Sequence, residues 1–144
     1  MIKTLDNAVF FEEVVRTLSL GEPVELRVKG GSMRPYLRDG LDRVVLYPAT
    51  DADLKRGQIV LFRYHNQYLL HRIVRRDKEH LLIQGDGVCA RQEQVAVTDV
   101  FGVVRDVFRP NDKRVSAQSC CTSCYWRLWL LLRPFRRYLL FLLK

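Results

Sequence analysis

The sequence predicts a mainly β domain, a coiled antiparallel sheet or partial barrel, with a short helix before it and an amphipathic helix after it. Three observations lead there. Short apolar runs of strand length recur at 24–28, 44–47, 59–62, 68–74, 81–83 and 100–108. Turn chemistry separates them: Asp39-Gly40, Pro48, Arg56-Gly57, His65-Asn66, Asp77-Lys78 and Gly85-Asp86-Gly87. Such close spacing of short strands is the signature of an antiparallel sheet that coils on itself. At both ends the period changes to that of a helix.

The elements follow in order. Asp6 is placed to cap a first helix whose apolar face is Val9, Phe10, Val14 and Leu18, and Gly21 ends it. Val24, Leu26 and Val28 alternate with charged neighbours, as a half-buried strand does. In the run 68–74, Tyr68, Leu70, Arg72 and Val74 share one face, and Leu69, His71 and Ile73 the other. Residues 111–124 are polar, small and basic, and read as a linker. The expected organisation is an N-terminal helix over 1–20, a β domain over 21–110, the linker, and a C-terminal helix over 125–144.

With 48% hydrophobic and 28% charged residues, the 144-residue chain has the composition of one folded domain rather than a disordered segment. Its net charge of +8 is unevenly placed: residues 1–104 carry 15 basic against 14 acidic side chains, and residues 105–144 carry 9 against 2. A nucleic-acid reader would carry the excess on its folded body. Here the excess sits on the tail, so a nucleic-acid partner is not expected and an anionic surface is. Asp6, Glu12 and Glu13 interrupt any apolar run near the start, so no secretory leader or amino-terminal anchor is expected.

In 125–144, Arg133, Arg136, Arg137 and Lys144 cluster on one side of a helical wheel. Leu128, Leu131, Leu132, Phe135, Tyr138, Leu139 and Leu142 take the other, and Pro134 divides or kinks the helix. The arginines prevent a simple membrane span. The pattern is that of a helix lying in a membrane interface, with Trp126, Trp129, Arg133, Phe135, Arg136 and Arg137 as contacts. The other reading is a helix packed on the chain's own core or on a dimer partner, for whose buried arginines this sparsely acidic region offers few partners. Attraction of the basic tail to anionic lipid places the chain as a peripheral protein on the cytoplasmic face. Of the four cysteines, Cys121 and Cys124 form a C-x-x-C with Cys120 beside them and Cys89 distant. A structural zinc site needs about four ligands, and no histidine stands near the cluster, so no metal or other cofactor is expected.

Three sets of residues are able to carry chemistry. Gly30-Gly31-Ser32-Met33-Arg34-Pro35 places a serine on a tight, approachable turn, where its hydroxyl serves as a nucleophile, its amide as an oxyanion donor, or the whole run merely as a loop. His71 lies among apolar neighbours, as a hydrogen-bonded core residue or a general base. Asp86, in a Gly-Asp-Gly turn, orients an imidazole or simply shapes the turn.

Taken in order, Gly31-Ser32-Met33 with Pro35, Gly57-Gln58-Ile59-Val60-Leu61-Phe62, His71-Arg72-Ile73-Val74, Gly85-Asp86 and Phe101-Gly102-Val103-Val104 resemble the type I signal peptidase superfamily over 24–108. That superfamily has a Ser-Met-x-Pro box, a Gly-Asp-x-Val strand, a general-base strand, a Gly-Asp turn and a terminal Gly-x-Val strand. Its typical bacterial members and the SOS-repressor-type relatives have Lys at the base position. This chain has His71 there, as in the Ser-His branch. The resemblance implies Ser32 as nucleophile, His71 as base, Asp86 as support for the imidazole or the local fold, Gly31 and Ser32 as the oxyanion loop, and Met33 and Pro35 as substrate contacts. It departs from the family where Gly30 replaces an oxyanion-donating hydroxyl, where Gly57-Gln58 replaces Gly-Asp, and where Asp39-Gly40-Leu41-Asp42 loosens an earlier turn. Gln92 stands near the place of the branch's second acidic residue, with Glu93 beside it, and neither is assigned.

The expected function is that of a serine endopeptidase cleaving a precursor protein or peptide, with a preference for small residues before the cut carried over from the family. Two other readings of the same residues are a non-catalytic β domain binding peptides or membrane, and a self-cleaving regulator of the SOS-repressor type. The latter would need a DNA-binding region, and no helix-turn-helix fits before Val24.

Overall fold

The computed structural model describes residues 3–118 and 120–143. They form a mainly β fold built on one open antiparallel sheet of eight strands. A helix α1 (Lys3–Ser19) precedes β1 (Val24–Arg27), β2 (Arg43–Pro48), β3 (Ile59–Tyr64), β4 (Gln67–Arg76), β5 (His80–Gln84), β6 (Glu93–Ala96), β7 (Val100–Phe108) and β8 (Arg114–Ser116). Helices α2 (Cys120–Leu131) and α3 (Arg136–Leu142) close the chain, joined through a 3-10 turn at Arg133–Phe135. The strand order is β1-β2-β7-β3-β4-β5-β6, and β8 pairs with the second half of β7 beyond the reach of β3.

The turns do what their residues allow. His65 and Asn66 both take positive φ, 48° and 61°, which gives the β3–β4 hairpin a two-residue turn whose twist suits the strands. Gly21, at φ 87°, stops α1, and its amide donates to the carbonyl of Leu18. The helix begins at Lys3, so Asp6 falls inside it rather than at its cap, and the Asp6 side chain lies outside the described residues. Val14 and Leu18 bury themselves on the sheet, with Phe11 packed beside them, while Val9 and Phe10 stay exposed. The docking face of α1 is thus rotated from the one expected.

Two apolar clusters flank the sheet. One, containing Leu26, Leu37, Val44, Leu46, Leu61 and Val107, lies under α1. The other gathers Val60, Phe62, Ile73, Leu81, Ile83 and Val95 on the opposite side. The stretch 111–124 is not a plain linker: it carries β8 and the first turns of α2. Three residues suffice for β8 because β7 supplies a waiting ladder, with Asp106 to Phe108 paired to Ser116 to Arg114.

Candidate active site

The Ser32 loop is built around a buried carboxylate. After β1 the chain leaves the sheet, and Asp42 gathers it back: its carboxylate accepts from the Arg38 amide at 2.8 Å, from the Arg38 guanidinium at 3.0 Å and from Arg109 Nη1 at 2.7 Å. Burial by itself would raise the Asp42 pKa, and the Arg38 hydrogen bonds with the Arg109 charge outweigh it, so the carboxyl titrates below its ordinary value. Gly30, at φ 83°, donates its amide to Asp39 Oδ1 at 2.9 Å and lets the loop reverse. Half-buried Ser32 then opens a short turn anchored by Met33, Tyr36 and Leu37, all buried.

Ser32 rests on the Gly85-Asp86-Gly87 turn. The Gly87 amide donates to the Ser32 carbonyl at 2.8 Å, and the Asp86 amide donates to Met33 Sδ at 3.4 Å. The contact leaves no room for a side chain: a Cβ on Gly85 would lie 2.4 Å from the Ser32 carbonyl oxygen and 3.0 Å from His71 Nε2. Ser32 and the imidazole of His71 therefore close on the same side of Gly85. The other ring nitrogen, Nδ1, lies 3.4 Å from Glu93 Oε2, and the Glu93 side chain is 0% exposed. Were Glu93 ionised it would only accept, and this contact would then hold a proton on Nδ1 and leave Nε2 on the side of the Ser32 carbonyl. Phe62 packs by the ring at 5.9 Å.

The carboxylate beside His71 is thus Glu93 and not Asp86. Successive residues of a strand point to opposite faces, so Arg72 faces away from His71, and it takes Asp86 with it. Arg72 Nε and Nη2 donate to the two Asp86 oxygens at 2.9 and 2.8 Å, and Nη1 donates to the Gly57 carbonyl at 2.8 Å. The guanidinium lies over the rings of Tyr36 and Tyr125. Burial pulls the Arg72 pKa down, but Asp86 more than restores it, and the group titrates above its ordinary value. Asp86 shapes the turn and leaves the imidazole to Glu93. Glu93 and Val95 are the inward residues of β6, with Gln94 between them exposed, and the sequence alone assigned no strand there.

A cavity of about 370 Å³ opens at Ser32, with Phe10, Phe11, Val28, Met33 and Tyr68 among its walls. Phe11 stacks on Tyr68 with ring centroids 5.4 Å apart, so α1 forms one side of the cleft. His71 is not among the residues lining it, and larger hollows of about 750 and 700 Å³ elsewhere include neither Ser32 nor His71. Met33 is buried but reaches the cleft wall. Pro35 does not: it borders a separate hollow with Arg38 and Arg109.

The C-terminal helices lie against the turn from behind, and their orientation corrects the expected contacts. Trp129 and Arg136 are buried against the domain, and Trp126 is half-buried over Gly57, where a Cβ would come within 2.3 Å of its ring. Arg133 is half-buried beside Gln92, whose carbonyl oxygen, once its amide is turned to accept, receives Nη2 at 2.8 Å. Phe135 and Arg137 remain exposed. The basic side thus turns partly inward, because main-chain carbonyls await it there, and the apolar side faces out. No described helix is long and apolar enough to cross a membrane. Cys89 and Cys124 are exposed free thiols, while the side chains of Cys120 and Cys121, together with Lys144, lie outside the described residues. Neither a protein-family model nor a curated protein matches the chain.

Proposed function

We propose that the chain is a serine endopeptidase of the signal-peptidase kind, cleaving a precursor protein or peptide through Ser32 and His71. The observation that carries the reading is the convergence over Gly85: the Ser32 loop and His71 Nε2 meet there, with buried Glu93 on the other ring nitrogen. In this reading Nε2 removes the hydroxyl proton as Ser32 Oγ attacks the scissile carbonyl. The Ser32 amide donates to the developing oxyanion, and Glu93 steadies the imidazolium. The imidazolium then protonates the leaving amine, and water activated by the same nitrogen releases the acyl group. The Ser32 cavity, walled by the aromatics of α1 and β4, takes the substrate.

The same proposal places the enzyme peripherally at an anionic membrane, on the cytoplasmic face. Leu131, Phe141 and Leu142 are 77%, 75% and 76% exposed, with Arg127 and Arg137 exposed near them, and this combination of apolar and basic groups fits an interface of lipid headgroups. Flotation with vesicles containing phosphatidylserine tests it: the wild type should float, and Leu131→Asp with Phe141→Asp should stay behind.

Activity is tested by labelling the purified protein with a fluorophosphonate. The wild type should label, and Ser32→Ala and His71→Ala should not, with melting temperatures near that of the parent. A folded wild type that resists labelling, or full labelling in either variant, overturns the mechanism. Peptide binding by an inert wild type would make the chain a non-catalytic binding domain instead.

A further inference from the structure

The two peptide groups of the Gly85-Asp86-Gly87 turn each carry a hydrogen bond at both ends. In the Asp86–Gly87 group, the Asp86 carbonyl accepts from Trp129 Nε1 at 2.8 Å, and the Gly87 amide donates to the Ser32 carbonyl at 2.8 Å. In the Gly85–Asp86 group, the Gly85 carbonyl accepts from Arg136 Nη1 at 3.4 Å, and the Asp86 amide donates to Met33 Sδ at 3.4 Å. A trans peptide group is planar, with its C=O and N–H directed oppositely. Each plane is therefore a rigid bar with a C-terminal helix at one end and the Ser32 loop at the other, although the Gly85 carbonyl also accepts from the Val88 amide of its own turn at 3.0 Å. Rotation of either bar moves both ends, and hydrogen bonds in series polarise one another.

Arg136 is poorly explained by stability alone. It is 1% exposed, its Nε finds no hydrogen-bond partner among the described residues, and its guanidinium bonds main-chain carbonyls, including that of Val88 at 3.2 Å. Its ring neighbour is Trp129, 5.6 Å from the guanidinium carbon. A buried cation whose hydrogen bonds among the described residues go to neutral carbonyls, with the Asp86 charge acting only at a distance, opposes folding more than an apolar side chain of the same shape would.

We propose that Trp129 and Arg136 are positioning residues for Ser32, acting through the two peptide planes of the Gly85-Asp86-Gly87 turn. They hold the Ser32 carbonyl, and with it the amide and hydroxyl of the same residue, at the place where His71 Nε2 waits. The inference rests on the reading of Ser32 as nucleophile, but the mechanical coupling is measurable without it.

The test uses the full chain with Trp129→Phe, Arg136→Lys and Arg136→Met. Trp129→Phe keeps a ring against Tyr125, whose own ring is stacked on it at 6.3 Å, and removes the Nε1 donor together with part of the indole. Residue-resolved amide exchange should show faster exchange at Gly87 in Trp129→Phe and at Asp86 in Arg136→Met. The fluorophosphonate labelling rate should fall about three- to tenfold for one lost hydrogen bond. Arg136→Lys should recover part of the rate. Unchanged Gly87 exchange in Trp129→Phe overturns the coupling, whatever the melting temperature does. Faster exchange with an unaltered labelling rate overturns the positioning role. An unlabelled wild type would defeat the peptidase reading, and Gly87 exchange would still decide the coupling. Should Arg136→Met fail to fold, Trp129→Phe alone decides both points.

Discussion

Replacing Glu93 by Gln removes a charge and keeps the shape, and so asks which carboxylate serves His71. The lost contact is a charge-assisted hydrogen bond, a class worth about 1.5–3 kcal/mol. At 3.4 Å it is long. The lower half of that range applies, and the fluorophosphonate labelling rate should fall about 10- to 30-fold. The melting temperature should move little, because Glu93 Oε1 makes no hydrogen bond among the described residues and its ion pair, with Arg91 Nε at 3.6 Å, is to a largely exposed guanidinium. Asp86→Asn should behave in the opposite way. Arg72 and Asp86 are both 1% exposed, so solvent screens neither, and the variant strands a buried guanidinium. Breaking such a pair is worth about 3–5 kcal/mol, which lowers the melting temperature by roughly 10 °C. Its labelling rate, measured well below the melting transition, should stay closer to the wild type than that of Glu93→Gln. If Asp86→Asn loses labelling at an unchanged melting temperature while Glu93→Gln labels normally, the assignment of Glu93 to His71 is wrong.

Three further outcomes follow from the geometry. Gly85→Ala should reduce labelling by about a hundredfold or more with the far-ultraviolet circular dichroism retained, since its Cβ would meet the Ser32 carbonyl at 2.4 Å and displacements of about 1 Å have that effect. Gly57→Ala should lower the unfolding free energy by about 1–3 kcal/mol in urea, because the residue has φ 97° and its Cβ would overlap Trp126. The folded pKa of Asp42 lies below its unfolded value of about 3.9, so its stabilisation is complete above that pH and disappears as pH falls through the folded value. Urea midpoints from neutral to acid pH should therefore fall steeply in the wild type at the acid end, and less steeply in Asp42→Asn.

Local periodicity by itself determined the mainly β class, six of the eight strands, the His65-Asn66 hairpin and the helices at both ends. It also singled out Ser32 and His71, because a serine among glycines and a histidine in an apolar strand are local anomalies. The strands it missed were those without a local signal. β8 has three residues and exists because β7 is there to pair with it, and β6 has four, with Glu93 in an inward seat where the pattern calls for an apolar side chain. A helical wheel shows which C-terminal residues share a side, but not which side docks. That was decided by carbonyls 43 to 51 positions earlier in the chain, which Trp129 and Arg136 reach. The choice between Asp86 and Glu93 was likewise tertiary. Both carboxylates lie within reach of β4 in sequence, and the outcome turned on Arg72 claiming one of them on the opposite face. Adjacency across a sheet depends on strand order and on competition among buried charges, and neither is written in the spacing of nearby residues.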